Sequence, residues 1–198
     1  MFYSLLRKII LGIYKLWYNL SIEGTENIDN SKPYIYASNH RSYADPVLIS
    51  ISVKHRFAYM AKEELFEQNI FFTTLIKIMG AFPVVRGSGD MTVINTAIEK
   101  LDSGKNLVIF PEGTRSKDGK VGKGKTGVAL IVAKSNYDVI PVGIIFEGEK
   151  LHFRSKVTVK YGKPIRASEF ALPENATSRD VKPIKNKIMS AITELVEG

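Results

Sequence analysis

Short apolar runs, each broken off by a loop residue and followed by a stretch of helical period, set the strongest limit on how this chain can fold. Pro33–Ser38, Arg56–Met60, Ala81–Val85, Leu107–Phe110, Val139–Phe146 and Lys156–Tyr161 are the runs, rich in the β-branched and aromatic residues that suit a pleated surface. Between them lie helical patterns at Asp45–Val53, Lys62 to about Met79, a segment capped by Asp90 and running to Leu101, and Gly127–Ser135. A terminal helix is expected within Ser178–Val196, starting at or near Pro183. Strands alternating with helices predict a single α/β domain with a mixed, largely parallel central sheet flanked by helices. A length of 198 residues suits one such domain.

Residues 1–20 form a further helical pattern. A helical wheel gathers Phe2, Leu5, Leu6, Ile9, Ile10, Ile13, Leu16, Trp17 and Leu20 on one face, with Arg7, Lys8 and Lys15 off it. Such a helix can pack on the domain's own core or lie in a membrane interface. Three cations without an acid favour an anionic leaflet, at about 1 kcal/mol per basic residue. Trp17, Tyr3, Tyr14 and Tyr18 are ring types that settle at headgroup level. The same cations interrupt the run too early for a spanning helix, and no small-residue cleavage site follows.

The net charge of +8, from 28 basic and 20 acidic residues, points to an anionic partner: nucleic acid, membrane or a phosphorylated substrate. No aromatic–basic interleaving or helix-turn-helix signature supports nucleic acid. The sequence has no cysteine, which excludes thiolate metal sites, a cysteine nucleophile and a disulfide framework. Its three histidines, at positions 40, 55 and 152, lack the spacing of a metal site.

His40 and Asp45 stand five apart, directly after the run Pro33–Ser38. Loops at the carboxyl ends of strands are where ligands bind in open α/β sheets. A loop entering a helix can fold His40 back onto Asp45, whose carboxylate then fixes the tautomer and leaves Nε2 as a base. Taken alone, the spacing also fits a surface histidine beside a helix-capping aspartate.

Longer motifs surround the pair. Asn39-His40-Arg41-Ser42-Tyr43-Ala44-Asp45 resembles the NHxxxxD motif of the glycerolipid acyltransferases, the family of 1-acylglycerol-3-phosphate acyltransferases. Gly80-Ala81-Phe82-Pro83-Val84-Val85-Arg86 is similar to that family's second block. Phe110-Pro111-Glu112-Gly113-Thr114-Arg115-Ser116 is similar to its third, and Val139-Ile140-Pro141-Val142-Gly143 to its fourth. The blocks occur in the family's order between Pro33 and Phe146.

The resemblance implies an amphipathic membrane-interface helix over residues 1–22 and an acyltransferase domain over 23–198. It implies that His40 deprotonates a glycerol hydroxyl, that Asp45 orients His40, and that the hydroxyl attacks an acyl thioester directly. Arg86 and Arg115 would hold the acceptor phosphate with Lys62 contributing, while Glu112 and Gly113 would position the glycerol backbone. The acceptor implied is 1-acylglycerol 3-phosphate, with glycerol 3-phosphate or another lysolipid as alternatives. The donor is a thioester of acyl carrier protein or coenzyme A; no cofactor and no metal are expected. The implied location is peripheral or monotopic, on the cytoplasmic face of a membrane.

One motif points to a different class of protein. Gly119-Lys120-Val121-Gly122-Lys123-Gly124-Lys125-Thr126 satisfies the nucleotide-binding pattern GxxxxGK[ST] within a Gly- and Lys-rich stretch expected to be a mobile loop. A true phosphate-binding loop follows a buried strand directly, whereas here Pro111 to Asp118 intervene. The apolar strand ending in aspartate that would hold magnesium is not evident.

Overall fold

The computed structural model describes residues 2–84, 91–170, 177 and 179–198. Helix α1 (Phe2–Trp17) leads into β1 (Asn19–Glu23), followed by β2 (Ile35–Ser38), α2 (Asp45–Ser50) and β3 (Phe57–Lys62). Then come α3 (Ile70–Ile78), β4 (Ala81–Val84), α4 (Met91–Asp102), β5 (Asn106–Ile109) and α5 (Gly127–Ser135). Strands β6 (Val139–Phe146) and β7 (Lys156–Tyr161) precede the terminal helix α6 (Lys182–Glu197).

The strands form one sheet in the order β1-β7-β6-β2-β5-β3-β4. Five of them, β6 through β4 in that order, run parallel, so their carboxyl ends share one edge. The other two reverse the direction, because β7 is antiparallel to β6 and β1 is parallel to β7. This is the mixed, largely parallel sheet expected from the sequence. The central strands β2 and β5 are buried along their whole length, as strands covered on both faces must be.

Alternation along each strand divides the core. Ile35 and Ala37 of β2 and Leu107 and Ile109 of β5 join a cluster with Ala97, Leu101, Ile131, Ile184 and Ile188 from α4, α5 and α6. Tyr36, Val108, Ile140 and Ile144 point to the other face and pack with Leu48 and Ile49 of α2. Leu11 and Tyr14 of α1 lie against that second cluster.

Two stretches depart from the sequence reading. The helical wheel continued to Leu20, but α1 ends at Trp17 and Asn19–Glu23 pairs with β7 in register Asn19↔Lys156 to Glu23↔Lys160. Leu20 and Ile22 alternate with polar residues there, and that period of two decides the conformation once β7 offers an unpaired edge. The helix expected from Lys62 is also interrupted. Lys62 closes β3, a 3-10 turn covers Glu63–Leu65, and α3 starts only after Asn69, whose side chain accepts the Phe72 N–H at 2.8 Å. Asp90, expected to cap α4, lies outside the described residues.

Candidate active site

Three of the five parallel strands deliver described candidate residues to the shared carboxyl edge. His40 follows β2 by two residues, Lys62 is the last residue of β3, and Glu112 follows β5 by three. Arg86 follows β4 in sequence but lies outside the described residues. The strand ends are closely registered: Ala37 pairs with Ile109, Tyr59 with Val108, and Lys62 with Val84.

His40 and Asp45 are brought together. Asp45 is fully buried at the first turn of α2, and its Oδ2 accepts from His40 Nδ1 at 2.8 Å, Arg41 N–H at 2.7 Å and Ser42 N–H at 2.8 Å. One carboxylate oxygen thus closes the loop 40–45 around itself and holds the imidazole by its inner nitrogen. Nε2 has no partner among the described residues. The ring lies flat on Phe110, with centroids 3.9 Å apart and planes 17° from parallel, a contact that opposes its rotation. Tyr14 of α1, half-buried, lies close enough to sense this carboxylate. Its hydroxyl is pushed up to about 12, first by burial and then by Tyr18 and Asp45.

The backbone of the histidine loop is fastened from several directions. Glu112, itself buried, accepts from His40 N–H through Oε1 at 3.0 Å and from Gly122 N–H through Oε2 at 3.1 Å. Burial pushes the Glu112 carboxyl above its ordinary value, although the two amides pull the other way. Ser116 N–H donates to the His40 carbonyl at 2.7 Å. Asn39 is buried with its side chain paired to Ile144 of β6 like a strand: Nδ2 donates to Ile144 O at 2.9 Å and Oδ1 accepts Ile144 N–H at 2.8 Å.

Gly113 has φ 73, and its N–H closes a turn onto Phe110 O at 3.0 Å. A left-handed turn residue therefore explains this glycine before any approach to substrate does. Arg115 is exposed beside the same loop. Its guanidinium stacks on the Tyr43 ring at 3.8 Å and donates to the Tyr43 hydroxyl at 3.1 Å. Lys62 is exposed at the end of β3.

Arg41 was not singled out from the sequence. Its guanidinium donates to Phe146 O at 2.5 Å and Gly148 O at 2.6 Å and lies 3.8 Å over the Phe146 ring. It ties the residue after the histidine to the end of β6. Nothing in the sequence marks the pairing, since an arginine beside a motif is most often a solvated charge.

The GxxxxGK[ST] stretch is committed elsewhere. Gly119 N–H donates to Ser116 Oγ, Lys120 N–H to Asp118 Oδ1, Gly122 N–H to Glu112 and Lys125 N–H to Pro111 O. Four amides of the stretch thus bond protein acceptors, where a nucleotide-binding loop turns its amides toward phosphate. Strand β5 ends at Ile109, ten residues before Gly119, so the strand-to-glycine junction is also missing. The stretch is without helix or strand, as expected, but these bonds fasten it to the site.

The Acyltransferase family profile matches residues 19–145, which takes in β1 through most of β6 and every candidate residue. The chain belongs to the acyltransferase family. Among relatives of this acyltransferase, the chloroplastic 1-acyl-sn-glycerol-3-phosphate acyltransferase LPAT1 of Arabidopsis thaliana is 31% identical over 82% of this chain and 50% of that protein. The 1-acyl-sn-glycerol-3-phosphate acyltransferase of Streptococcus pneumoniae is 30% identical over 100% of this chain and 74% of that protein. The acyltransferase thus spans about half the length of the plant relative and more of the bacterial one. The crystal structure of PlsC, the 1-acyl-sn-glycerophosphate acyltransferase from Thermotoga maritima, superposes with a TM-score of 0.67 at 28% identity. That match covers 95% of this chain and 80% of the other.

Proposed function

We propose that this acyltransferase moves a fatty acyl group from a thioester of acyl carrier protein or coenzyme A to the free hydroxyl of 1-acylglycerol 3-phosphate, giving phosphatidate. The observation that carries the reading is the His40 imidazole, whose Nδ1 is engaged by a fully buried carboxylate at 2.8 Å while Nε2 is left unpaired among the described residues. That is the arrangement of a general base with its tautomer fixed. The activities of the relatives, 1-acyl-sn-glycerol-3-phosphate acyltransferases, support this choice of acceptor.

In this reading His40 Nε2 takes the proton of the acceptor hydroxyl as its oxygen attacks the thioester carbonyl. Asp45 stabilises the imidazolium that forms. The tetrahedral adduct then expels the thiolate, which recovers the proton from His40, leaving phosphatidate and free thiol. No acyl-enzyme and no bound cofactor enter the step, because the thioester brings its own leaving group. Arg115 and Arg86 bind the acceptor phosphate as guanidinium forks, with Lys62 at the neighbouring strand end. Glu112 is reassigned from the glycerol backbone to fastening the loops, since both its oxygens accept backbone amides.

In the same reading the enzyme works at a membrane surface, peripheral or monotopic on the cytoplasmic face, where a lipid acceptor is met. No helix among the described residues is long and apolar enough to cross a bilayer. Helix α1 exposes Leu5, Ile9, Ile13, Leu16 and Trp17, the residues that would enter the interface.

A transfer assay with 1-acylglycerol 3-phosphate, glycerol 3-phosphate and other lysolipids, against both thioester donors, identifies the reaction by its lipid product. His40→Ala is expected to abolish transfer. Full activity in purified, folded His40→Ala would overturn the mechanism, and product from glycerol 3-phosphate alone would overturn the acceptor.

A further inference from the structure

The apolar surface of α1 does not end with the helix. Leu5, Ile9, Ile13 and Trp17 follow one another at four-residue spacing, with Leu16 beside them, so they form one exposed stripe. At its end the Trp17 ring meets Phe153, edge to face, with centroids 5.2 Å apart. Phe153 belongs to the loop between β6 and β7 and is 63% exposed, while Trp17 is 50% exposed. Two large rings touch each other and leave their outer surfaces uncovered. An aromatic pair brought together only to be buried in the domain would not be left in this state.

The loop is fixed to the helix by backbone as well. Arg154 N–H donates to Trp17 O at 2.7 Å, and Asn19 N–H donates to Ser155 O at 3.0 Å. The first bond satisfies a carbonyl that the last turn of α1 would otherwise leave open. Arg154 holds φ 66, a conformation rare for a residue with a side chain. His152 N–H to Ser155 Oγ and Ser155 N–H to His152 O complete a tight turn that lifts Phe153 to its tip. Helix and loop are therefore one rigid unit.

Basic residues flank the aromatic pair on both elements. Lys8 and Lys15 on α1, and Lys150, Arg154 and Lys156 around the loop, are all exposed. The loop's acids, Glu147 and Glu149, stand toward its β6 end, where Glu149 and Gly148 line an open cleft with Arg41. An apolar stripe tipped by aromatic rings and flanked by lysine and arginine matches an anionic lipid surface.

We propose that the β6–β7 loop, through Phe153 and Arg154, is a second membrane contact that acts with α1, Phe153 entering the interface beside Trp17. The proposal rests on the reading of α1 as an interfacial helix, and adds a second element far from it in sequence. Its consequence is orientational: a helix alone can roll about its axis on a bilayer, whereas a helix with a rigid aromatic spur has one preferred face down. The site edge is then presented to the lipid in a fixed attitude.

Trp17 is the sole tryptophan, so its fluorescence reports this spot alone. With vesicles of mixed phosphatidylcholine and phosphatidylglycerol, Trp17 emission is expected to shift to the blue and to be quenched by brominated acyl chains. Phe153→Ser is expected to weaken partitioning about tenfold. Arg154→Asn, chosen because asparagine tolerates positive φ, is expected to weaken it about fivefold, only on anionic vesicles and only at low salt. Both variants should turn over detergent-dispersed substrate at the wild-type rate.

Vesicle binding by folded Phe153→Ser and Arg154→Asn at wild-type strength would overturn the proposal. So would unquenched Trp17 in the bound wild-type protein, a result that needs no variant. Failure of transfer with every acceptor would instead sink the proposed reaction and leave these vesicle results standing.

Discussion

Replacing Asp45 by asparagine keeps the shape of the side chain and removes its charge. Three N–H groups converge on Oδ2, so the amide oxygen must take that place. The amide nitrogen then falls where Oδ1 lies, a buried position with no partner. An unmatched buried donor costs about 1–3 kcal/mol of stability, which a folded domain of this size tolerates. Catalysis should suffer more. Taking the imidazolium and carboxylate charge centres as about 4 Å apart at an effective dielectric near 20, their attraction is worth about 4 kcal/mol. Solvent screens it little, because Asp45 is fully buried and the His40 side chain is 14% exposed. Losing it in the transition state lowers kcat by roughly 10³. The acceptor KM should hardly move, since nothing assigns Asp45 to the lipid. The assay is thiol release at saturating donor, beside a urea titration of the same sample. A folded Asp45→Asn protein with kcat within about threefold of wild type would refute the assignment of His40 as base.

Asn39→Ala leaves the Ile144 N–H and C=O without their buried partners, and a loss of about 2–4 kcal/mol in urea unfolding is expected, with kcat falling as the histidine loop loosens. Gly80→Ala sets a Cβ 2.1 Å from the Phe57 carbonyl at φ 98, so a melting temperature lower by roughly 5–15 °C is expected in thermal unfolding. Glu112 has its folded pKa raised above 4.5, chiefly by burial, so the folded state binds that proton more tightly than the unfolded chain. Its contribution to stability is thus fully present below 4.5 and is lost as pH rises through the raised value; unfolding midpoints from about pH 4 to pH 8 should fall over that window in wild type, and Glu112→Gln should lack this component. If Glu112 fastens loops rather than binding lipid, Glu112→Ala lowers kcat with little change in acceptor KM; a raised KM at unchanged kcat would return it to the glycerol.

The α/β class and most elements could be read directly, because strands covered on both faces become short apolar runs that few other structures produce. Lys156–Tyr161 and Val139–Phe146 form strands over the ranges their patterns suggested. What the pattern could not convey was competition. Leu20 satisfies a helical wheel and a strand alternation equally, and only the presence of β7 decides. Likewise Lys62 fits a helix beginning or a strand end, and Asn69 settles it by capping further on. The His40–Asp45 pairing was visible as spacing, but its depth was not: the pair is held by Phe110 beneath the ring and by Glu112 behind the backbone.

Glu112 shows how a motif residue can carry contacts that its motif does not announce. A glutamate directly after a strand, in a family block, invites a substrate role. In the fold its two oxygens join the backbone amide of His40 to that of Gly122, in the middle of the stretch that mimics a nucleotide-binding loop. The same contact therefore explains two things at once. It stiffens the His40 loop, and it draws the Gly/Lys-rich stretch against that loop, where four of its amides bond protein acceptors. A Cβ on Gly122 would come 2.9 Å from the Glu112 carboxylate, so close passage past Glu112 is what this glycine permits. The glycines of that stretch thus serve the acyltransferase through packing, and their agreement with a phosphate-binding pattern is coincidence of spacing.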